Sequence, residues 1–312
     1  MGEAWVAGIQ NASRNGWIED PVPLSGSSGK GCSSAPTWNP RNQIGSGTGS
    51  ANIAFADIDG DGKDDYLIFG DGGSVTAYIN GGPDVGGNQI WYPQDQIASG
   101  IAPSASQVRF GDIWGSSRAD YLVVNDDGSV DCWTNAGSND TAYPGRVTWI
   151  QQGQIAASGM GQDGNGVVFA DLNGDGRDDY LWVSETGAVT AYLNGAGETG
   201  KSSWIPQGTV ATGVGANRSE VVFADLNGDG RAEYLWIDTD TGSVKAWLNT
   251  ASSGGNITWI EWGEVASGVG VGGNDIRFAD ITGSKRDDYI AIENSNGAID
   301  LWENLCPVAS EG

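Results

Sequence analysis

The sequence predicts an all-β fold: a β-propeller of four-stranded antiparallel blades, five rather than six or seven, with the ring closed by an N-terminal strand. Three observations lead there. The segment Phe55 to Tyr66 (FADIDGDGKDDY) returns at Phe110 to Tyr121 (FGDIWGSSRADY), Phe169 to Tyr180 (FADLNGDGRDDY), Phe223 to Tyr234 (FADLNGDGRAEY) and Phe278 to Tyr289 (FADITGSKRDDY), at spacings of 55, 59, 54 and 55 residues. Glycine supplies 51 of 312 residues, which calls for many tight turns and leaves little room for long helices. Sustained apolar periodicity of 3.6, which helical repeats of that length would need, is absent.

Each unit reads as four short strands. The first ends in Phe-Ala-Asp and meets an Asp-rich loop; the second follows, as in Tyr180 to Val183, and leads to a Gly-containing turn. The third is exemplified by Val189 to Asn194 (VTAYLN). After a polar loop the fourth begins with Trp, as in Trp204 to Val210, and a Gly-rich crossing leads to the next unit.

The two ends of the chain complement each other. The fifth unit supplies three strands up to Asn304 and stops, whereas Trp38 to Ile44 is a fourth strand with no first three before it. Together they make one blade. Cys306 and Cys32 both fall where a third strand is ordinarily joined to a fourth, so a Cys32–Cys306 disulfide would pin the composite blade. On this reading residues 1–31 are an N-terminal extension and 32–312 a single propeller, with repeats starting near 51, 106, 165, 219 and 274. Ala4 to Gln10 and Asn15 to Asp20 also have strand-like patterns, which keeps a six-bladed or incomplete ring as the alternative. Cys132 sits on a third strand where other units have Ala77, Ala191, Ala246 and Leu301, and is expected to be a buried small hydrophobe.

Composition excludes several functions. With 40 acidic against 15 basic residues the formal charge is -25, which would repel phosphate backbones and anionic membranes. The chain has no histidine, so it can build no Ser-His-Asp relay and no His-ligated metal. Nothing approaches 18 consecutive apolar residues, so no membrane insertion is expected. The first residues lack the pattern of a secretory signal, which leaves a cytosolic protein or a processed secreted one carrying an added Met.

The loop Asp57-Ile-Asp59-Gly60-Asp61-Gly62-Lys63-Asp64-Asp65 offers side-chain oxygens at positions 1, 3, 5 and 9 and the Lys63 carbonyl at 7, with glycines at 4 and 6 for the turn. Hard cations take such oxygen sets, and calcium is the expected ligand. The set recurs as Asp171, Asn173, Asp175, Arg177 (carbonyl) and Asp179, and as Asp225, Asn227, Asp229, Arg231 (carbonyl) and Glu233, giving about three calcium sites. Two loops are degraded: Asp112, Trp114, Ser116 and Asp120 in unit 2, and Asp280, Thr282, Ser284 and Asp288 in unit 5. Side chain to backbone hydrogen bonds are expected to hold these two.

The pattern Phe-Ala-Asp-x-Asn/Asp-Gly-Asp-Gly-Arg/Lys-x-Asp-Tyr resembles the FG-GAP or VCBS repeats of integrin α-subunit propellers. It is also similar to the repeats of Psathyrella velutina-type fungal lectins and to modules attached to secreted carbohydrate-active enzymes. The resemblance spans roughly residues 37 to 304 and implies the propeller, its calcium loops, and a role as lectin, adhesion module or, in some cases, polysaccharide lyase.

Aromatic residues present in every unit are expected to pack between blades: Trp38, Trp91, Trp149, Trp204 and Trp259 in one position, Tyr78, Trp133, Tyr192, Trp247 and Trp302 in another. The irregular ones, Trp114, Trp182, Trp236 and Trp262, are the ligand candidates, as indoles that stack on sugars; Trp5 and Trp17 lie in the extension. Arg109, Arg218 and Arg277 lie near the crossings, at the end of the blades opposite the Asp-rich loops. The function expected is a calcium-stabilised, secreted, lectin-like propeller with a glycan or glycoconjugate partner; the alternatives are a carbohydrate-active enzyme or its accessory domain, and a protein-protein adhesion propeller. No catalytic pair stands out: Glu185, Glu198, Glu220, Glu261, Glu264 and Glu293 are scattered. Extracellular calcium suits such modules, whose dissociation constants are on the order of 0.1–1 mM, and the sequons at Asn11, Asn139, Asn217 and Asn256 fit secretion.

Overall fold

Alternating apolar residues fold each unit into a short antiparallel sheet. The computed structural model describes residues 34–49, 52–138, 147–156, 163–195, 203–251 and 256–305, with the strand Trp5–Val6, Cys32 and Met160. Among these are five sheets. Blade 1 comprises Ile53–Ala56, Asp65–Phe69, Val75–Pro83 and Gln89–Ala98; blade 2 comprises Val108–Gly111, Asp120–Val124, Val130–Asn135 and Trp149–Ala156. Blade 3 is built of Val167–Ala170, Asp179–Val183, Val189–Asn194 and Trp204–Ala211, and blade 4 of Val221–Ala224, Glu233–Ile237, Val244–Asn249 and Trp259–Ala266. In blade 5 the strands Ile276–Ala279, Asp288–Glu293 and Ala298–Leu305 are completed by Thr37–Gly45, the N-terminal strand expected to close the ring. The described residues contain no α-helix, and their five 3-10 turns include one before the first strand of each of blades 2 to 5.

Each fourth strand carries a bulge: pairing with the third strand slips at Gly153, Gly208 and Gly263, whose φ values are 75°, 71° and 81°. Blade 1 differs by carrying a fifth strand, Trp5–Val6, against Gln89–Ala98. That pairing replaces the sixth-blade alternative for this part of the extension. Cys306 and Trp17 lie outside the described residues, and with them the pairing of Cys32.

The core is divided among the seams. Five apolar clusters each join two neighbouring blades, as where Ile58, Leu67 and Val75 of blade 1 meet Ala119, Tyr121 and Val123 of blade 2. The repeated Trp supplies a seam hydrogen bond as well as area: its indole N–H donates to a fourth-strand carbonyl of the preceding blade. The pairs are Trp91 with Ile44 (2.8 Å), Trp149 with Ile97 (2.8 Å), Trp204 with Ile155 (2.7 Å), Trp259 with Val210 (2.9 Å) and Trp38 with Val265 (2.6 Å). The Tyr ending each motif does the same toward the preceding blade, as in Tyr234 to the Gly187 carbonyl (2.9 Å) and Tyr66 to that of Gly297 (3.0 Å). Around Tyr180 the rings of Phe169, Tyr192 and Trp204 stand edge-on at 5.8, 5.8 and 5.9 Å, favourable for aromatic quadrupoles. The invariant aromatics are therefore blade-to-blade packing. The seam from blade 5 to blade 1 has the same bonds as the others, so the ring is complete at five.

Candidate calcium loops and crossing face

The loops between first and second strands lie at one end of the blades. In blade 1 the Asp57 carboxylate accepts the N–H groups of Gly60 (2.6 Å) and Gly62 (2.8 Å), Asp59 accepts that of Asp61 (3.2 Å), and Asp61 that of Lys63 (2.9 Å). Those bonds turn three carboxylates toward one another, with an oxygen of each of Asp57, Asp59 and Asp61 within 4.8 Å of the others. Burial, then the neighbouring charges of Asp61 and Asp57, push Asp59 up to about 6, and burial raises Asp57. Such a set fits a hard divalent cation, which would neutralise this repulsion. In the loops at Asp171 and Asp225 the third position is an amide: Asn173 Oδ1 accepts from Asp175 N (2.8 Å) and Asn227 Oδ1 from Asp229 N (2.7 Å). Arg177 pairs with Asp175 at 2.7 Å, and Lys63 and Arg231 pair likewise with Asp61 and Asp229.

The degraded loops hold the same shape. Asp112 accepts Ser116 N (2.9 Å) and Ser117 N (2.7 Å), and Asp280 accepts Ser284 N (2.9 Å) and Lys285 N (2.7 Å), as the sequence led one to expect. Ser117 and Lys285 adopt φ of 62° and 63° where intact loops have glycine. The position-6 N–H bond to the position-1 carboxylate is common to all five loops, while its companion comes from position 4 in the intact loops and from position 5 in the degraded ones, which also lack the acidic side chain at position 5.

Position 9 has a second role that the sequence pattern concealed. Asp65, Asp120, Asp179, Glu233 and Asp288 are all fully buried, in degraded and intact loops alike. Asp65 accepts Ile58 N and Asn80 N, each at 2.8 Å, and Asp120 accepts Ile113 N (3.1 Å) and Asn135 N (2.8 Å). The Asn so anchored then joins two blades: Asn135 Nδ2 donates to the Ile58 carbonyl of blade 1 (2.9 Å) and to Ala119 of its own (3.2 Å). Burial raises Asp120, Asp179 and Asp288 to about 7 and, followed by Asp225, Glu233 to about 9.

Position 8 carries a further stitch. Its N–H donates to the position-1 carbonyl of the preceding loop in every seam: Ala119 to Asp57 (2.7 Å), Asp178 to Asp112 (2.9 Å), Ala232 to Asp171 (2.8 Å), Asp287 to Asp225 (2.8 Å) and Asp64 to Asp280 (2.8 Å). Cys32, ahead of the closing strand, donates its N–H to the Asn227 carbonyl (2.7 Å), laying the N-terminal segment against the blade 4 loop.

At the other end the crossings are irregular. Arg218 forms a two-bond fork with Asp163 (3.0 Å each) and donates to the Val183 carbonyl (2.8 Å), with its guanidinium 5.6 Å from the Trp182 ring centre. Beside it an open groove of about 440 Å³ between blades 3 and 4 has Val168, Val183 and Val221 as its floor and Glu185, Asn217 and Arg218 at its edges. The Lys245 ammonium lies 4.8 Å from the Trp236 ring centre, and the Trp236 N–H donates to Glu220 (3.3 Å). Trp114 is half-buried beside Cys132 with its indole nitrogen covered, and Trp262 packs on the cluster joining blades 4 and 5. The four candidate tryptophans are thus spread over several seams and share no site. Arg109 and Arg277 are spent on backbone carbonyls, among them Ser106 (2.7 Å) and Asn274 (2.8 Å), and burial lowers the pKa of both. Cys132 is a free, buried thiol, as expected, pushed upward by burial and then by Asp120.

A family model described as FG-GAP-like repeat matches residues 112–182 and 171–236. No curated protein matches the chain. Among solved structures, the Tc holotoxin pore of Photorhabdus luminescens is similar over 90% of this chain, with 15% identity and a TM-score of 0.52. TcdB2-TccC3 without its hypervariable C-terminal region is similar over 89% of this chain, with 16% identity and a TM-score of 0.51. The present chain spans 15% of the length of each of those chains, and the likeness is one of fold. Residues 112–236 thus match the FG-GAP-like repeat, within a chain built as a five-bladed β-propeller.

Proposed function

We propose that this chain is a calcium-stabilised, extracellular binding propeller whose partner is a protein, recognised at the crossing face. The groove between blades 3 and 4 carries the reading. The repeated side chains are taken up in stitching the ring, whereas Arg218, clamped by Asp163 beside Glu185 and three valines, belongs to one seam alone. An open, shallow groove with both charges at its edges suits side chains of a protein surface better than an enclosed small molecule. The Tc assemblies of similar fold are consistent with such a role.

Glycan recognition through the irregular tryptophans is less well supported, because a cation covers a face of Trp182 and of Trp236 and the other two are packed into seams. Calcium would be held by Asp57, Asp59, Asp61, Asp65 and the Lys63 carbonyl, and by the corresponding residues at Asp171 and Asp225. Its role is structural: it removes acidic repulsion and stiffens the loops. A Cys32–Cys306 disulfide would suit the same oxidising compartment, and Cys32 is buried beside the closing strand.

The test is parallel binding in millimolar calcium: capture of proteins from an extracellular extract, and a glycan array, each with wild type and Arg218→Ala. Saturable capture lost in the variant, with no glycan class bound, is the expected outcome. Selective, saturable binding of one glycan class with no protein captured would overturn the reading in favour of a lectin.

A further inference from the structure

The outer edges of the blades are not equivalent. In blade 1 the fourth strand is covered by Trp5–Val6, paired antiparallel with Trp5 opposite Trp91 and Val6 opposite Ile90. Among the described residues, the corresponding strands Trp149–Ala156, Trp204–Ala211 and Trp259–Ala266 of blades 2, 3 and 4 end their sheets. An edge strand presents unpaired N–H and C=O groups, a template for another strand. Each of these edges also shows an isoleucine directly after the repeated Trp: Ile150, Ile205 and Ile260 are 49%, 49% and 56% exposed. The bulges at Gly153, Gly208 and Gly263 interrupt the ladder a few residues later, which leaves a short receptive stretch on each edge, at the level where Trp5–Val6 sits on blade 1.

We propose that these three edges each accept a short extended segment of a protein partner by strand addition. The chain's own N-terminal strand shows the mode on blade 1, and the repeat reproduces the same edge three more times. Backbone bonds would give affinity and the isoleucine would select an apolar side chain at alternate positions. With a chain charge of -25, and with Glu261 and Glu264 exposed on the blade 4 edge, the segment is basic beside its apolar residues. A second copy of the chain is a poor occupant, because its N-terminal strand is tethered to its own blade 1 at high effective concentration. The inference rests on the protein-binding reading and adds a second contact surface to it, because these stretches begin at the Asp-rich-loop end of the blades, away from the groove at the crossing face.

The probe is a synthetic peptide carrying residues 3–10 of this chain flanked by lysines, added at about 1 mM to the full chain and followed by hydrogen exchange. Amides at the start of the three edge strands are expected to exchange roughly tenfold more slowly. Ile260→Asp, at an exposed site, should abolish protection in blade 4 alone, while Ile260→Val retains it. No protection of these strands, or protection equal with a scrambled peptide and indifferent to Ile260→Asp, overturns the proposal. If Arg218-dependent capture of a protein persists alongside that result, strand addition fails while the protein-binding reading stands.

Discussion

Gly60 of the first loop lies under Arg118 of the second: a Cβ on Gly60 would stand 3.0 Å from Arg118 Cγ. The relationship repeats around the ring, with Arg177 against Gly115, Arg231 against Gly174, Arg286 against Gly228 and Lys63 against Gly283. The basic residue at position 7 therefore packs across the position-4 glycine of the preceding blade. This contact gives glycine at position 4 and a cation at position 7 a packing role in the two degraded loops too, where positions 3 and 5 are Trp114 and Ser116 or Thr282 and Ser284.

Substitution at the two glycines of one loop separates packing from backbone strain. Both have positive φ, 84° at Gly60 and 83° at Gly62, but a Cβ on Gly62 meets nothing within 4 Å. In chelator, Gly62→Ala should cost about 1 kcal/mol and Gly60→Ala about 2–3 kcal/mol, measured by urea unfolding. Equal costs would remove the packing role assigned to Arg118.

Asn249 binds two blades from a buried position, donating to the carbonyls of Leu172 (3.0 Å) and Ala232 (3.1 Å). Asn249→Ala leaves both acceptors unsatisfied and should cost about 2–4 kcal/mol, read from chemical denaturation. A loss below about 1 kcal/mol would mean that the seam does not depend on this bridge.

Acidity should stabilise the chelated protein. Asp59 is raised to about 6 and Asp120, Asp179 and Asp288 to about 7, from an ordinary 3.8, chiefly by burial. The folded state thus binds more protons than the unfolded state between about pH 4 and 7, and Glu233, raised to about 9 chiefly by burial, extends that window to about pH 9, so stability falls as pH rises through it and levels off only above. The melting temperature in chelator should follow this course, and millimolar calcium should flatten the part due to the intact loops. A melting temperature that climbs with pH in chelator contradicts the assignment.

Thiol counting tests the seam closure. Unfolded without reductant, the chain should titrate one thiol, Cys132, and after reduction all three cysteines. Cys32→Ser should lower stability by about 2–4 kcal/mol. Three thiols before reduction would leave the closing strand held by its ladder alone.

The fold was legible because the ring applies the same chemistry five times. Trp204 reads as a seam residue once Trp149 and Trp259 stand at the same place, and Thr37–Gly45 reads as the missing strand once Ala298–Leu305 lacks a partner. The Asp-rich turns were legible as turns for the same reason, although the spacing marks position 9 only as a ligand candidate and conceals that its carboxylate anchors the third-strand Asn. Features that occur once left no such trace. The Asp163–Arg218 fork, the contact of Cys32 with Asn227 and the strand Trp5–Val6 each join segments far apart in sequence, without a repeated counterpart to reveal the pairing. The irregular tryptophans carry an ambiguity that the sequence alone does not resolve: a ring outside the repeat can serve as a platform for a neighbouring Arg or Lys, as Trp182 does for Arg218 and Trp236 for Lys245, as well as for a sugar.

The most direct test of the account is the number of calcium ions bound per chain, counted by native mass spectrometry in millimolar calcium. Three ions are predicted, falling to two in Asp57→Asn/Asp59→Asn, with a lower melting temperature after chelation. A chain that binds none, or binds five with the degraded loops occupied, would contradict it.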